Sequence, residues 1–239
     1  MPSNDIKGTT ALVTGASRGF GRGIAAALDG AGAAVVGVAR DGAALEELRA
    51  ELGESFTPVS ADAADPTVAG QLIDAYRPGI LVLNAGAAPL SRPLQHHTWQ
   101  TFSRNWDVDV KQVFHWLREA VLAPLAPGST VITMSSGAAL RGSPLSGGYA
   151  GSKATIRFIT SYAAAESERG GLGIRFISVL PQLTPATALG SAAVAAYLER
   201  SGPALTPGQA GEAFVALASD PGHAAGPYLL TAAGLSPVT

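Results

Sequence analysis

Residues 10–28 read TALVTGASRGFGRGIAAAL, in which a short apolar run meets a glycine-rich turn and then an alanine-rich segment. The apolar run predicts a buried strand, and the alanine-rich part predicts a helix. The glycines Gly15, Gly19 and Gly21 allow the chain to turn tightly between the two. The first strand is therefore expected to lead directly into the first helix, an arrangement typical of α/β proteins.

The same alternation of strand-like and helix-like segments continues along the chain. Short apolar runs predict strands at Thr10–Val13, Ala33–Val38, Phe56–Val59, Ile80–Leu83, Thr130–Met134, Ile174–Val179 and Tyr228–Leu230. Ala- and Leu-rich stretches predict helices at Phe20–Gly30, Ala43–Leu52, Pro66–Tyr76, Thr98–Val121, Tyr149–Glu168 and Pro207–Ala218. Most strands lack an alternation of apolar and polar residues, so both of their faces should be covered. The prediction is an α/β fold with a doubly wound parallel sheet of about seven strands and helices on both faces.

The composition indicates one soluble domain over residues 1–239. The chain is 47% hydrophobic and 14% charged, so it can bury a sizeable core. A net charge of −2 gives no basic surface for nucleic acid or an anionic membrane. The chain has no cysteine, and its first residues lack the apolar stretch of a signal peptide. A cytoplasmic protein without membrane or nucleic-acid partners is expected.

The glycine turn is a candidate binding site for the pyrophosphate of a dinucleotide. Its backbone can approach a phosphate closely, and the helix that follows offers unpaired N–H groups and a partial positive charge. The second strand ends at Ala39 and Arg40, without the carboxylate that usually holds an adenosine ribose hydroxyl. Arg40 and Arg18 could instead clamp a 2′-phosphate, which favours NADP(H) over NAD(H). The alternatives are that both arginines are solvated surface charges, or that Asp41 serves a ribose hydroxyl.

Tyr149 and Lys153 are the candidate catalytic pair. Their Tyr-x-x-x-Lys spacing on a predicted helix places both side chains on the same face. The ammonium favours the phenolate form of the tyrosine and so prepares it for acid–base chemistry. The pattern alone is common on helices, but here Ser136 stands upstream, just after a predicted strand.

With these motifs in order, the sequence resembles the short-chain dehydrogenase/reductase family from about Gly8 to Leu230. The matched positions are Thr14, Gly15, Gly19 and Gly21 of the glycine turn, Asp62 after the third strand, Asn84, Ala85 and Gly86 of an Asn-Ala-Gly motif, and Ser136, Tyr149 and Lys153. The resemblance implies a Rossmann fold and an NADP(H)-dependent carbonyl reductase or alcohol dehydrogenase.

The resemblance also implies roles for individual residues. Tyr149 would protonate the carbonyl oxygen of a substrate and act as the base in alcohol oxidation. Ser136 would stabilise the charge on that oxygen, and Lys153 would hold the nicotinamide ribose. Gly86 would be a glycine because a side chain there would obstruct the cofactor cleft. The implied cofactor-binding residues are Gly15, Ser17, Arg18, Gly19, Phe20, Gly21, Arg40, Asp62, Ala63, Asn84, Gly86, Tyr149, Lys153, Pro181 and Thr184.

Two places depart from the pattern of the family. Many members carry an Asn on the long helix before the fifth strand, where it supports a water in the proton relay. Here that place holds Asp109, which we count with the catalytic residues and whose charge would raise the pKa of a nearby Lys153. After the sixth strand Gln182 replaces the usual glycine and either contacts substrate or is solvated. Thr184 or Thr187 would contact the nicotinamide amide.

The expected partner is a small-molecule carbonyl or alcohol substrate in a partly apolar pocket. Candidate pocket residues are Leu140, Ser143, Leu145, Gln182 and Leu183. Residues 184–208 are expected to form a flap over the site. A homo-oligomer, either dimer or tetramer, is expected, and no metal ion, because the histidines are not clustered. The alternative function is a non-catalytic NADP(H)-binding redox sensor or regulatory protein; Asp109 is the feature in its favour, and the intact Ser, Tyr and Lys argue against it.

Overall fold

The computed structural model describes residues 6–143, 145–182 and 204–238, and within these ranges it contains one eight-stranded sheet. The strands are β1 (Thr10–Thr14), β2 (Ala34–Ala39), β3 (Phe56–Ser60), β4 (Ile80–Leu83), β5 (Thr130–Met134), β6 (Arg175–Pro181), β7 (Gly226–Thr231) and β8 (Gly234–Pro237). The helices are α1 (Gly19–Gly30), α2 (Gly42–Leu52), α3 (Pro66–Tyr76), α4 (Trp99–Asn105), α5 (Lys111–Leu122), α6 (Ala138–Arg141), α7 (Gly147–Gly170) and α8 (Pro207–Ser219). A 3₁₀ turn covers Leu94–His96.

The strand order is β3-β2-β1-β4-β5-β6-β7-β8, and all neighbouring pairs are parallel except β7 and β8. The predicted fold class, a doubly wound parallel sheet with helices on both faces, is confirmed. The prediction of about seven strands omits β8, which pairs antiparallel with the edge strand β7. Its residues are mostly exposed and include Pro237, so β8 lacks the apolar run by which the other strands are recognised.

The sheet is buried on both faces because successive residues of its central strands are apolar. Val13 packs in a cluster with Phe214 of α8, whereas its neighbour Leu12 packs in a second cluster with Trp116 of α5. Successive side chains of a strand point to opposite faces, so a continuous apolar run fills both clusters at once. This double burial fixes the register of β1 and with it the position of the glycine turn that follows.

The helix predicted over Thr98–Val121 is present without a break, but its middle turn is wider than an α-helical turn. It consists of α4, one π turn over Trp106–Val110, and α5. The π turn buries Asp109 on the inner side of the helix. A single wider turn leaves the apolar periodicity of the flanking helices intact, so it has no clear signal in the sequence.

Most of the expected flap lies outside the described residues, and so do Leu183, Thr184 and Thr187. The described chain resumes at residue 204, and α8 then begins at Pro207. Thr206 caps this helix, because its Oγ1 accepts a hydrogen bond from Gln209 N at 3.2 Å. Within the described ranges, no helix combines the length and apolar character needed to cross a membrane.

Arg175 ties the start of β6 to the end of α8. Its guanidinium donates to Leu217 O at 2.6 Å, to Asp220 O at 2.7 Å and to His223 O at 3.0 Å. Leu217 O lies in the last turn of α8, and the other two carbonyls belong to the segment just after it, so the arginine binds the end of the helix where intrahelical donors are lacking.

We expect Arg175→Met to lower the free energy of unfolding by about 1–3 kcal/mol, because several charge-assisted hydrogen bonds are lost together. The change is measured by urea unfolding. Arg169→Met is the matched control, since the Arg169 side chain is 77% exposed, and it should leave stability nearly unchanged. Equal stability of the two variants would contradict this role of Arg175.

Candidate active site

The candidate site lies at the carboxyl edge of the sheet, where the strand order reverses between β1 and β4. The glycine turn follows β1, the Asn84–Gly86 motif follows β4, and Ser136 follows β5. Parallel strands end at the same edge, so these segments meet there although they are far apart in sequence.

The glycine turn requires glycine for two separate reasons. A Cβ on Gly21 would lie 2.0 Å from Gly15 O, so no side chain fits at that position. Gly15 itself has a φ of +69°, which favours glycine. The helix α1 starts at Gly19, and its N-cap residue Arg18 makes no side-chain capping bond. Unpaired N–H groups at this helix start fit the phosphates of a dinucleotide.

Thr14 and Asn84 lock this turn to the end of β4. Thr14 Oγ1 accepts hydrogen bonds from the backbone N–H groups of Asn84 and Ala85 at 3.0 and 3.1 Å. It donates to Gln112 Oε1 at 2.6 Å. Asn84 Nδ2 donates to Thr14 O at 3.1 Å and Gly15 O at 3.3 Å. The amide group of Asn84 therefore supports the turn from inside the protein, a role that the sequence does not reveal.

The residues expected near the adenosine phosphate are open to solvent. Arg18 and Arg40 are both exposed, at the start of α1 and just beyond β2. Asp41, the alternative partner for a ribose hydroxyl, caps α2 by accepting a hydrogen bond from Ala44 N at 3.1 Å. The structure thus assigns one carboxylate oxygen of Asp41 to the helix.

The remaining expected cofactor residues differ in accessibility. Asp62 is exposed, and its Oδ1 accepts a hydrogen bond from Ala64 N at 3.0 Å. Ala63 is buried, and its carbonyl accepts a hydrogen bond from Trp116 Nε1 at 2.9 Å. Ser17 and Phe20 are half-buried in and beside the turn, whereas Pro181 is buried at the end of β6.

Tyr149 and Lys153 lie at the end of β5, the strand that Ser136 follows. Lys153 Nζ lies 5.6 Å from the centroid of the Tyr149 ring and donates to Met134 O at 3.1 Å. Ser135 Oγ donates to Lys153 O at 2.7 Å, which ties α7 to the same strand end. Tyr149 and Ser136 are half-buried, so both retain access to the cleft.

Asp109 pairs directly with Lys153. Its Oδ2 lies 3.1 Å from Lys153 Nζ, and both side chains are buried. Burial by itself lowers the pKa of Lys153, but the charges of Asp109 and Tyr149 and the hydrogen bond to Asp109 together raise it above its ordinary value. The expectation that Asp109 raises the pKa of a nearby Lys153 is therefore confirmed.

Two backbone contacts hold the chain beyond Gly86 against this ion pair. Ala87 N donates to Asp109 Oδ1 at 2.7 Å, and Ala87 O accepts a hydrogen bond from Asn105 Nδ2 at 2.8 Å. Asn105 lies one helical turn before Asp109, a spacing that could have revealed it. A Cβ on Gly86 would lie 3.1 Å from Asp109 Oδ2, so the crowding observed at Gly86 comes from this carboxylate.

The loop after β4 and the segment before α7 form one rim of the site. Arg92 N donates to Leu145 O at 2.8 Å, and the hydroxyls of Ser91 and Ser146 are 3.1 Å apart. Leu145 has a φ of +61°, which is unusual for a leucine and gives this rim a strained residue. The predicted pocket residues Leu140, Leu145 and Gln182 are exposed, and Ser143 is half-buried.

Among the described residues, no group of three His, Cys, Asp or Glu side chains could hold a metal ion. His96 is exposed and His97 half-buried.

The family model for short chain dehydrogenases matches residues 9–197, which include the glycine turn, the Asn84–Gly86 motif, Tyr149 and Lys153. This chain belongs to the short-chain dehydrogenase/reductase family. It is 32% identical to the L-xylulose reductase of Bos taurus over 183 residues, which cover 75% of this chain and 74% of that protein. It is 30% identical to the D-erythrulose reductase of Gallus gallus over 167 residues, 69% of this chain and 68% of that one.

One solved structure shares the fold of this chain over nearly the whole length of both proteins. The 3-ketoacyl-(acyl-carrier-protein) reductase of Brucella melitensis, complexed with NADH, superposes with a TM-score of 0.81 at 25% identity. The match covers 94% of this chain and 98% of that one. The chain is therefore an oxidoreductase that uses a nicotinamide cofactor and acts on a small molecule.

Proposed function

We propose that this chain is an NADP(H)-dependent reductase of small ketones and aldehydes that also oxidises secondary alcohols in the reverse direction. The observation that carries the proposal is the Tyr149–Lys153 pair, which a hydrogen bond from Lys153 to Met134 O ties to the end of β5. Ser136 and the glycine turn follow strands that end at the same edge of the sheet. An acid–base residue and a phosphate-binding turn at one edge of the sheet are what hydride transfer to a carbonyl requires.

Each side chain has one task in this reaction. NADPH, when bound, would supply a hydride for the carbonyl carbon of the substrate. Tyr149 donates its phenolic proton to the carbonyl oxygen, and Ser136 donates a hydrogen bond that stabilises the developing charge on that oxygen. Lys153 orients the nicotinamide ribose through the donor that its internal contacts leave free. Alcohol oxidation uses the same groups in reverse, with Tyr149 as the base.

The preference for NADP(H) is supported by charge at the end of β2. Arg18 and Arg40 are exposed there, and the nearest carboxylate, Asp41, is engaged as the cap of α2. Two guanidinium groups can bind a 2′-phosphate through charge-assisted hydrogen bonds. Because the cap uses one oxygen of Asp41, this carboxylate is less available as the acceptor for a ribose hydroxyl.

Arg40→Ala is expected to weaken NADPH binding about tenfold and to leave NADH binding nearly unchanged, because only NADPH carries the 2′-phosphate. Arg18→Ala should act in the same direction. Both affinities are measured by the fluorescence of the bound cofactor. Arg49→Ala is the matched control, an exposed arginine on the same helix that Asp41 caps. A parallel loss of NADPH and NADH affinity in Arg40→Ala would contradict the assignment.

The substrate class that we propose is a small hydroxyketone. The relatives named above are reductases of xylulose and erythrulose. At the rim of the site the side chains of Ser91 and Leu145 are exposed, whereas Ser146 is buried and its hydroxyl lies 3.1 Å from that of Ser91. An exposed hydroxyl and an exposed apolar side chain suit a short polar chain with a carbonyl. Xylulose, erythrulose and simple diketones are therefore the first substrates to test with NADPH. Tight NADPH binding without turnover of any carbonyl would favour the redox-sensor alternative.

We also propose that the chain forms a homo-oligomer in the cytoplasm. Phe114 and Leu122 of α5 and Phe158 and Tyr162 of α7 are each more than half exposed. Large apolar side chains on two neighbouring helices support contact with a second copy. The lack of cysteine is consistent with a reducing compartment.

A further inference from the structure

Asp109 gives Lys153 a buried counter-ion. The two side chains are 1% and 6% exposed, and their charged atoms are 3.1 Å apart. A neutral asparagine at this place would leave the positive charge of the ammonium unbalanced. With the carboxylate present, the net charge of the pair beside Tyr149 is zero.

The carboxylate is held in place from other directions as well. Its Oδ1 accepts the hydrogen bond from Ala87 N, and its Oδ2 lies 3.5 Å from Asn105 Nδ2. Asn105 is itself anchored on Ala87 O. If Asp109 turned away from Lys153, it would also lose the hydrogen bond from the half-buried Ala87 N, so the backbone favours the paired orientation.

Lys153 is equally restricted. An ammonium has three donors, and two of them are directed to Met134 O and Asp109 Oδ2. The nitrogen remains within 5.6 Å of the Tyr149 ring centroid. The phenol therefore experiences the field of a closed ion pair instead of that of an isolated ammonium.

Few other charges act on this pair. Within the described part of the chain, the ionisable groups whose fields act on Lys153 are Asp109 and, in its phenolate form, Tyr149. The charged residues on the elements packed around them are exposed or half-buried: Arg104 of α4, Asp107 of the π turn, Lys111 of α5, Arg141 of α6 and Arg157 of α7. Screening by water reduces their influence relative to a buried contact.

We propose that Asp109 is a positioning residue that keeps Tyr149 in its protonated form at neutral and moderately alkaline pH, and so suits the site to carbonyl reduction. The inference deepens the proposed function, and its consequence for catalysis rests on that function. A buried ammonium needs one counter-ion. Because Asp109 is the counter-ion of Lys153, the phenolate of Tyr149 is not required as a counter-ion.

The chemical consequence concerns which form of Tyr149 is available. In reduction the O–H bond of Tyr149 breaks as a new O–H bond forms on the substrate oxygen, and the carbonyl carbon gains the hydride. The phenolate that remains then takes a proton from solvent in the cleft. Alcohol oxidation has to start from the phenolate, so it should require a more alkaline pH in this protein than with a neutral residue at 109.

The test is Asp109→Asn, which preserves shape and removes the charge. Phenolate absorbance is titrated as the difference between each protein and the same protein carrying Tyr149→Phe. We expect the phenolate to appear at least about one pH unit lower in Asp109→Asn, since the ammonium then takes the phenolate as its counter-ion. The rate of reduction decreases at alkaline pH, and the rate of oxidation decreases at acidic pH. Both decreases should move to lower pH by the same amount.

Asp107→Asn is the matched control, because it removes an exposed carboxylate from the same π turn and should leave the titration in place. A lower kcat in Asp109→Asn with an unmoved phenolate titration would overturn the inference and show a structural role only. If Asp109→Asn does not fold, a Tyr149 phenolate already present at neutral pH in the unaltered protein would also overturn it. The titration needs no substrate, so it decides the inference even if no carbonyl is turned over and the proposed function fails.

Discussion

Tyr149→Phe should lower the rate of carbonyl reduction about 10²- to 10⁴-fold, the range over which a positioned general acid contributes. The ring stays in place in this variant, and only the transferable proton is lost. Lys153 keeps its contacts with Met134 and Asp109, so the cofactor cleft should be unaltered. NADPH affinity is therefore expected to stay within about threefold of the unaltered protein, well below the effect of a lost charge-assisted hydrogen bond.

The matched control for this variant is Tyr162→Phe on the same helix. The Tyr162 side chain is 64% exposed, and its hydroxyl takes no part in the proposed chemistry. Its kcat/KM should equal that of the unaltered protein. If Tyr149→Phe retained full activity, the acid would have to be another group and the assignment of the site would be wrong.

Lys153→Met is expected to lower the free energy of unfolding by about 3–5 kcal/mol, because it leaves the buried carboxylate of Asp109 without a partner. Loss of the ammonium should also weaken cofactor binding. Urea unfolding gives the stability change. Lys111→Met, at an exposed position at the start of α5, is the control and should have little effect.

The double variant Lys153→Met with Asp109→Asn separates pairing from packing. Removal of the unpaired charge should recover most of the lost stability, since a neutral amide can still occupy the space of the carboxylate. A double variant as unstable as Lys153→Met would show that lost packing, and not the isolated charge, is responsible.

The pH dependence of this stability difference has a defined sign. The folded-state pKa of Lys153 is raised above its ordinary value of 10.5. The pair therefore stabilises the fold fully below that pH, and this contribution is lost as the pH rises through the raised value. Across the neutral range the titration of Lys153 itself therefore adds no pH dependence to the stability of the unaltered protein.

The fold was largely predictable from the sequence because the central strands are buried on both faces. Leu12 and Val13 are adjacent and both apolar, yet they enter opposite clusters. Such runs are visible without knowledge of the partners. The strand β8 was not visible, because an exposed edge strand needs no apolar side chains.

The candidate site was predictable where local spacing carries the chemistry, as in Tyr149 and Lys153. The support behind these residues was not. Gln112 reaches Thr14, and Asn105 reaches Ala87, across long stretches of chain. A polar residue on a helix that is otherwise apolar on its inner side shows that some partner exists, but only the packed structure shows which backbone atom it meets. The π turn that delivers Asp109 to Lys153 has no signal in the hydrophobic pattern either.

The most direct test of the account is to follow the hydride itself. The purified chain is incubated with NADPH that carries deuterium at both C4 positions of the nicotinamide and with xylulose, erythrulose or a simple diketone, and the product alcohol is analysed by mass spectrometry and NMR. The account predicts loss of NADPH absorbance and one deuterium on the new carbinol carbon, with both signals appearing about 10²- to 10⁴-fold more slowly in Tyr149→Phe. NADPH that binds but is never consumed with any of these carbonyls, or product formed without deuterium at that carbon, would contradict it.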